Sequence, residues 1–232
     1  MSRDSQSGSN LTELWCIALC AVLYEMNGFD PGDDNEAESV QKNIERHKQS
    51  FQRDWGIENK DDLMRNLQWL AEEGHRESFN KIRSFLSALS EAEQTKYIES
   101  IPKTTQRYRE HQLVKAYMNR LPAAGIAAWD LGRYAFLCRK GAVMGFITKE
   151  KSLELVQPIV AVAQQAYSGW REYGTGYLAG RQFWWAQPTA ASAQEMAGYV
   201  RNLLLNADSL WNRLEWEVPL EETAGQPSNP LA

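Results

Sequence analysis

The chain has 232 residues, 43% of them hydrophobic and 24% charged, with a formal net charge of −5. That length suits one large domain or two small ones, with a core big enough to fold without metals or disulfides. The negative balance argues against a dedicated nucleic-acid binder, which carries a basic face.

Residues 1–10 are polar, lack the basic start of an export signal and are expected to form a disordered lead. Asn10 with Glu13 reads as a capping box, and Leu11, Leu14, Trp15, Ala18 and Val22 recur at helical spacing up to Gly28. The apolar run inside this helix is shorter than the roughly 20 residues that span a bilayer, so no membrane association is expected. Cys16, Cys20 and Cys138 are the three cysteines. They are too few for a disulfide framework and imply a reducing, cytoplasmic setting. Cys16 and Cys20 stand i,i+4, but no His or further Cys is near enough in sequence to complete a ligand set. No metal and no cofactor is expected.

Residues 29–35 read as a loop. A helix over 36–55 carries Val40, Ile44, His47, Phe51 and Trp55 on one stripe. Asn59 caps a helix over 60–73 carrying Leu63, Leu67, Trp69 and Leu70, and Gly74 ends it. His75 stands at the junction, where it is expected to bond a free carbonyl of the preceding helix end. The next helix holds Phe79, Ile82, Phe85, Leu86 and Leu89. Ser90 with Glu93 is a second capping box, and Pro102 stops the helix it opens. A polar helix over 104–120 is expected to turn Tyr108, Leu113, Ala116 and Tyr117 inward.

The stretch 125–185 sets charge among large aromatics. A helix over 125–140 buries Trp129, Phe136 and Leu137, and Asp130 and Arg133 stand i,i+3 so that they can pair on one face. Thr148 caps a helix to 167 that Pro158 is expected to kink. Ser168 caps a helix over 169–185, whose Gly169, Gly174, Gly176, Ala179 and Gly180 let a neighbouring backbone come close. Gly174-Thr175-Gly176 is no phosphate loop, because no strand precedes it and no Lys-Ser/Thr follows. Ser192 with Glu195 reads as a third capping box, opening a helix to 205. Leu210, Trp211 and Leu214 form a short turn, Trp216 at most a minor extended segment, and 218–232 a flexible tail. Strand signals are nearly absent. The fold class is therefore all-α, a single compact domain of about ten helices over 11–217.

These residues carry a resemblance. Leu14-Trp15, Trp55-Gly56-Ile57, Trp69-Leu70 and Gly74-His75-Arg76 resemble the bacterial family called domain of unknown function 1266. So do Ala128-Trp129-Asp130 with Arg133, Gly145-Phe146-Ile147, Ser168 with Trp170, and Tyr177 with Gly180-Arg181 and Phe183-Trp184. The resemblance covers most of the chain. It implies a helical, cytoplasmic bacterial protein and supplies no activity, cofactor or catalytic residue.

Two main readings of the polar residues follow, and a third, a sensor for a small, phosphate-bearing ligand, uses the cleft of the second. In the first, Asp130, Arg133, Arg181 and Glu172 form a buried ion-pair network that fixes helix register. Arg181 would then pair with Asp130 or a like carboxylate, and its loss would cost about 3–5 kcal/mol. Function would lie on the surface, with another protein as partner, in neutralising a toxin or in assisting a chaperone or secretion system. In the second, the same residues line a cleft of a phosphate-handling enzyme acting on a nucleotide or nucleic acid. Asp130 or Glu172 would be the base, His75 the acid, and Arg133 and Arg181 the phosphate clamp. Trp129, Trp170, Tyr177, Trp184 and Trp185 would form the binding walls. Accessibility and unpartnered donors separate the two: a structural network is sealed and fully paired, whereas a site keeps free donors.

Overall fold

The computed structural model describes residues 3–28, 36–185 and 190–217. The loop expected at 29–35, the tail expected at 218–232 and the first two residues of the expected lead lie outside the described residues. The first helices are α1 (Arg3–Met26), α2 (Glu36–Lys42), α3 (Ile44–Trp55) and α4 (Lys60–Glu72). They are followed by α5 (Gly74–Ser87), α6 (Glu91–Glu99), α7 (Gln106–Tyr117) and α8 (Ala127–Val143). The last four are α9 (Lys149–Ala166), α10 (Trp170–Trp184), α11 (Ala190–Leu205) and α12 (Leu210–Arg213). No strand occurs among the described residues, and Trp216 lies in irregular chain.

Local chemistry sets many of these ends. The Asn59 side chain accepts from Asp61 N at 2.9 Å and Asp62 N at 3.0 Å, and Thr148 accepts from Lys151 N at 3.1 Å. Ser90 and Glu93 form the reciprocal capping box. Elsewhere the expectation is corrected. α1 begins at Arg3, ahead of Asn10, and α11 at Ala190, ahead of Ser192, so both expected caps lie inside helices. The helix expected over 36–55 is two, broken at Asn43. α10 starts one residue later than Ser168 implies, with Gly169 as its cap. On α7 His111 and Val114 are fully buried, Tyr108, Leu113 and Tyr117 pack partly buried against the smaller core as expected, and Ala116 is exposed.

The fold is organised around α8, which is buried on nearly every side, with Trp129, Leu131, Ala135, Phe136, Leu137 and Cys138 all in the core. A helix apolar or small all round belongs inside rather than on a surface. α1, α4, α5, α9 and α10 pack around it. Carbonyls of α1 receive two core donors, Tyr173 Oη to Leu19 O at 2.8 Å and Trp211 Nε1 to Ala18 O at 2.8 Å. A smaller core, including Phe79, Leu86, Val114 and Phe183, lies where α5, α7 and the end of α10 meet. There Arg83 donates to the carbonyls of Pro122 at 2.7 Å, Met118 at 2.9 Å and Leu121 at 3.0 Å, closing the end of α7. The expected close approach by α10 is real: a Cβ on Gly180 would overlap the Cβ of Trp129. This contact brings the polar residues of α8 and α10 side by side. No helix among the described residues is long and apolar enough to cross a membrane.

Candidate functional site

Asp130 sits in the first turn of α8 with no exposed surface. Its carboxylate does not turn along its own helix toward Arg133. It crosses to the start of α5, accepting His75 N on Oδ1 and Arg76 N on Oδ2, each at 3.0 Å. The first backbone N–H groups of a helix lack intrahelical partners, and a carboxylate there is doubly favoured by hydrogen bonding and by the helix dipole. Asp130 is thus the cap of α5, supplied from 54 residues away. Gly74 makes this possible. Its φ of 59° is a left-handed conformation, and a Cβ there would overlap the Asp130 carboxylate.

Arg76 completes the structural part. It is buried, its Nη1 lies 3.4 Å from Asp130 Oδ2, and Nη1 also donates to Leu70 O at 2.6 Å. Its Nη2 donates to Ala71 O. One guanidinium therefore closes the carbonyl end of α4 while one carboxylate closes the amide end of α5. Both oxygens of Asp130 are engaged with donors of α5. The carbonyls expected to receive His75 are taken by Arg76. An arginine in the first turn of a helix opposes the dipole, and that is the signal in the sequence that Arg76 serves something other than its own helix.

The second group of charges is arranged differently. Arg133 lies between two indoles, its Cζ 4.5 Å from the Trp55 ring and 5.1 Å from the Trp129 ring. Its Nη1 is 3.1 Å from His75 Nδ1. Arg181 lies over Trp185 at 4.3 Å and Trp184 at 4.9 Å. It is 9% exposed, yet it has no hydrogen bond or ion pair with any described residue. The expected pairing of Arg181 with Asp130 is absent, and so is the loss of stability that breaking such a pair would bring. Burial pulls both guanidinium groups below the usual arginine range. For Arg133 the negative charge of Asp130 and the Tyr177 phenol oppose that pull, and the positive charge of Arg181 adds to it to a smaller extent. Arginine stays charged through shifts of this kind, so the seam holds two cations that make no ion pair with any described carboxylate.

Two further donors share the seam. Trp129 Nε1 and the Tyr177 hydroxyl are buried with no hydrogen-bond partner. The two rings meet edge to face at 5.1 Å. Burial raises the Tyr177 phenol, against the charges of Arg133 and Arg181, which both reach it. The outer edge is aromatic: Trp69 meets His75 at 5.0 Å and Trp184 meets Trp129 at 5.9 Å. Trp69, Trp184 and Trp185 are 38%, 49% and 50% exposed.

The remaining candidates lie elsewhere. Trp170 belongs to the aromatic core, stacked on Trp211 at 5.4 Å and donating to Leu214 O at 3.2 Å. Glu172 accepts Ser168 N at 2.7 Å, a local closure of the α10 start. So the structure brings together His75, Trp129, Arg133, Tyr177, Arg181, Trp184 and Trp185, sets Asp130 beneath them as a cap, and separates off Glu172 and Trp170. Arg76 and Trp55 are the members that the sequence reading passed over. No three His, Cys, Asp or Glu side chains gather as a metal site among the described residues.

Fold and site together define an all-α protein with a buried central helix and a donor-rich seam beside it. The chain belongs to the family described as protein of unknown function (DUF1266), whose model matches residues 50–216 and so every residue of the seam. It is similar to the uncharacterized protein YbeR of Escherichia coli (strain K12), 32% identical over 130 residues, covering 56% of this chain and 54% of that protein. It is also similar to the uncharacterized protein YbeU of the same organism, 29% identical over 130 residues with the same coverage. The chain thus spans about half the length of the curated relatives it matches. No solved structure matches significantly.

Proposed function

We propose that this protein is a binding module for a small ligand bearing an oxyanion, a carboxylate or a phosphate, seated in the seam between α8 and α10. One observation carries the reading. Arg133, Arg181, Trp129 Nε1 and the Tyr177 hydroxyl are donors on the two helices that line the seam, and among the described residues only Arg133 has an acceptor, the ring nitrogen of His75. A buried donor without an acceptor costs about 1–3 kcal/mol, more when charged, so the seam is favourable chiefly to a group that brings acceptors. Indole rings cover the guanidinium faces, which leaves the edges. Those edges present N–H pairs in the fork that matches two oxygens of one oxyanion. Asp130 is saturated and Glu172 engaged in a cap, so binding fits better than acid–base chemistry. The exposed indoles of Trp69, Trp184 and Trp185 favour a ligand with a ring to stack on them. They equally favour a second reading, in which a partner protein delivers an acidic side chain into the seam.

Thermal unfolding and tryptophan fluorescence in phosphate, benzoate and phenyl phosphate, at constant ionic strength against chloride, test the proposal. The expected result is a saturable rise in Tm for the wild type, reflecting RT ln(1 + [L]/Kd) of added stability. Arg181→Leu should weaken binding about tenfold or more, the scale of a hydrogen bond to a charged group. Its own stability should stay within about 1 kcal/mol of wild type, because only stacking is lost. A wild type indifferent to all three anions, or an Arg181→Leu variant that binds them unchanged, would overturn the reading.

A further inference from the structure

His75 Nδ1 stands between two neighbours that it cannot both serve. It is 3.1 Å from Arg133 Nη1, a donor, and 3.3 Å from Asp130 Oδ1, an acceptor. An imidazole nitrogen holds either a lone pair or a proton. With a lone pair, Nδ1 accepts from Arg133 and sets its electrons against the carboxylate oxygen. With a proton, it donates to Asp130 and turns an N–H toward the N–H of Arg133. The ring is not free to swing away. Its backbone N–H is fixed on the same Oδ1 at 3.0 Å, and its edges meet Trp69 at 5.0 Å and Trp129 at 6.5 Å. The state of one proton therefore decides which partner His75 holds. The ring is 19% exposed, so solvent can deliver that proton.

We propose that the seam takes up its oxyanion together with one proton, at Nδ1 of His75, which thereby releases Arg133 to the ligand. This deepens the oxyanion reading above and rests on it. In the empty site the contact with Arg133, which can only donate, calls for a lone pair on Nδ1. When the oxyanion arrives, Arg133 Nη1 turns to it and the Nδ1 lone pair is vacated. A hydronium ion protonates Nδ1: its O–H bond breaks to leave water, an N–H bond forms, and that N–H donates a hydrogen bond to Asp130. Nothing is oxidised. Charge explains why the two events go together. Asp130 and Arg133 meet His75 from α8, Arg76 of its own helix meets Asp130, Arg181 of α10 acts on Arg133, and α4 presents the Trp69 ring. Arg76 offsets Asp130, so an imidazolium in the empty seam would be a third cation beside Arg133 and Arg181. The negative ligand removes that obstacle. Linkage then requires the reciprocal effect, tighter anion binding as pH falls. His75 acts here as a positioning residue, through Arg133.

Sulfate is the probe, because it stays fully ionised across the range in which histidine titrates. Its affinity for the full chain is measured by tryptophan fluorescence from pH 5.5 to 8.0 at constant ionic strength. Imidazole nitrogen NMR shifts are recorded for His47, His75 and His111 with and without sulfate. The expected result is an affinity that falls up to tenfold per pH unit through the histidine range. His75 should change from the Nε2–H tautomer to the doubly protonated ring on saturation. In His75→Gln, sulfate binding should persist with no pH dependence. Sulfate bound equally at both ends of the range, or a His75 spectrum unchanged on saturation, would overturn the proton coupling and leave the oxyanion site standing. A wild type blind to sulfate at every pH would overturn both. The NMR measurement uses the wild-type chain, so it decides the matter even where the variant folds poorly.

Discussion

Asp130→Asn should lose about 2–4 kcal/mol of stability with little change in shape. In the native structure the two carboxylate oxygens accept the N–H groups of His75 and Arg76 at 3.0 Å each and face the Arg76 guanidinium at 3.4 Å, with no exposed surface. An amide keeps one acceptor oxygen and presents an NH2 to the other α5 donor, so one buried N–H is lost outright, about 1–3 kcal/mol. The negative charge opposite buried Arg76 goes as well. Removing a partner from a buried pair costs about 3–5 kcal/mol, and the lower part of that range applies because Arg76 keeps its bonds to Leu70 O and Ala71 O. These costs overlap and do not add. Asp130→Ala removes every acceptor and should exceed 4 kcal/mol, a large share of the roughly 5–15 kcal/mol that holds a domain together. Urea unfolding followed by the fluorescence of the nine tryptophans measures the loss as a fall in midpoint at constant slope. A double-mutant cycle of Asp130→Asn with Arg76→Met should show a coupling of at least about 1 kcal/mol. A loss below 1 kcal/mol for Asp130→Asn, with unchanged slope, would refute the view that this carboxylate caps α5 and neutralises Arg76.

Gly180→Ala sets helix propensity, which favours alanine by up to about 1 kcal/mol, against an overlap with the Trp129 Cβ at the backbone of α8, which cannot yield as a flexible side-chain tip would. Overpacking of this kind costs about 1–3 kcal/mol, so the net change in urea unfolding should be destabilising; unchanged or higher stability would show that the seam has slack. At alkaline pH, burial raises the phenols of Tyr134, Tyr167, Tyr173 and Tyr177. The folded state therefore keeps protons that the unfolded chain releases above about pH 10, and the stability present below that pH is lost as pH rises further. With four such groups the slope is about 5 kcal/mol per pH unit. Phenolate absorbance from these four should appear only together with loss of circular dichroism, and their ionisation in a folded protein would contradict the burial argument.

What the sequence discloses and what it withholds divide along one physical line. Local, one-dimensional chemistry was legible: the Asn59 and Thr148 caps, the Ser90–Glu93 box, the burial of Trp129, Phe136 and Leu137 on α8, and the small residues of α10 that admit Trp129. The same Ser-x-x-Glu spacing misleads at 192–195, because a Ser and a Glu three apart also fit a helix interior when the helix has started earlier. Asn43 breaks the helix expected over 36–55 although nothing in that stretch disfavours helix strongly. Tertiary choice was not legible. The i,i+3 spacing of Asp130 and Arg133 allows a pair but does not oblige one, because the two unpaired N–H groups opening α5 are the better partners for a buried carboxylate. Position in sequence says nothing of where those N–H groups come to lie.

The charges of this protein therefore do two separate things that composition alone blends together. Asp130 and Arg76 complete each other's hydrogen bonding and close two helix ends, and charges so satisfied are held in place. Arg133 and Arg181 are desolvated by the same indoles that position them, and the close packing of Gly180 on Trp129 holds them on adjacent helices without a counter-charge. A fold gains nothing in stability from two facing arginines, an unpartnered phenol and an unpartnered indole N–H in one seam. Their persistence in a helical frame that elsewhere caps its ends with care points to a ligand as the missing acceptor, and His75, touching both groups, is where the structural pair and the binding pair meet.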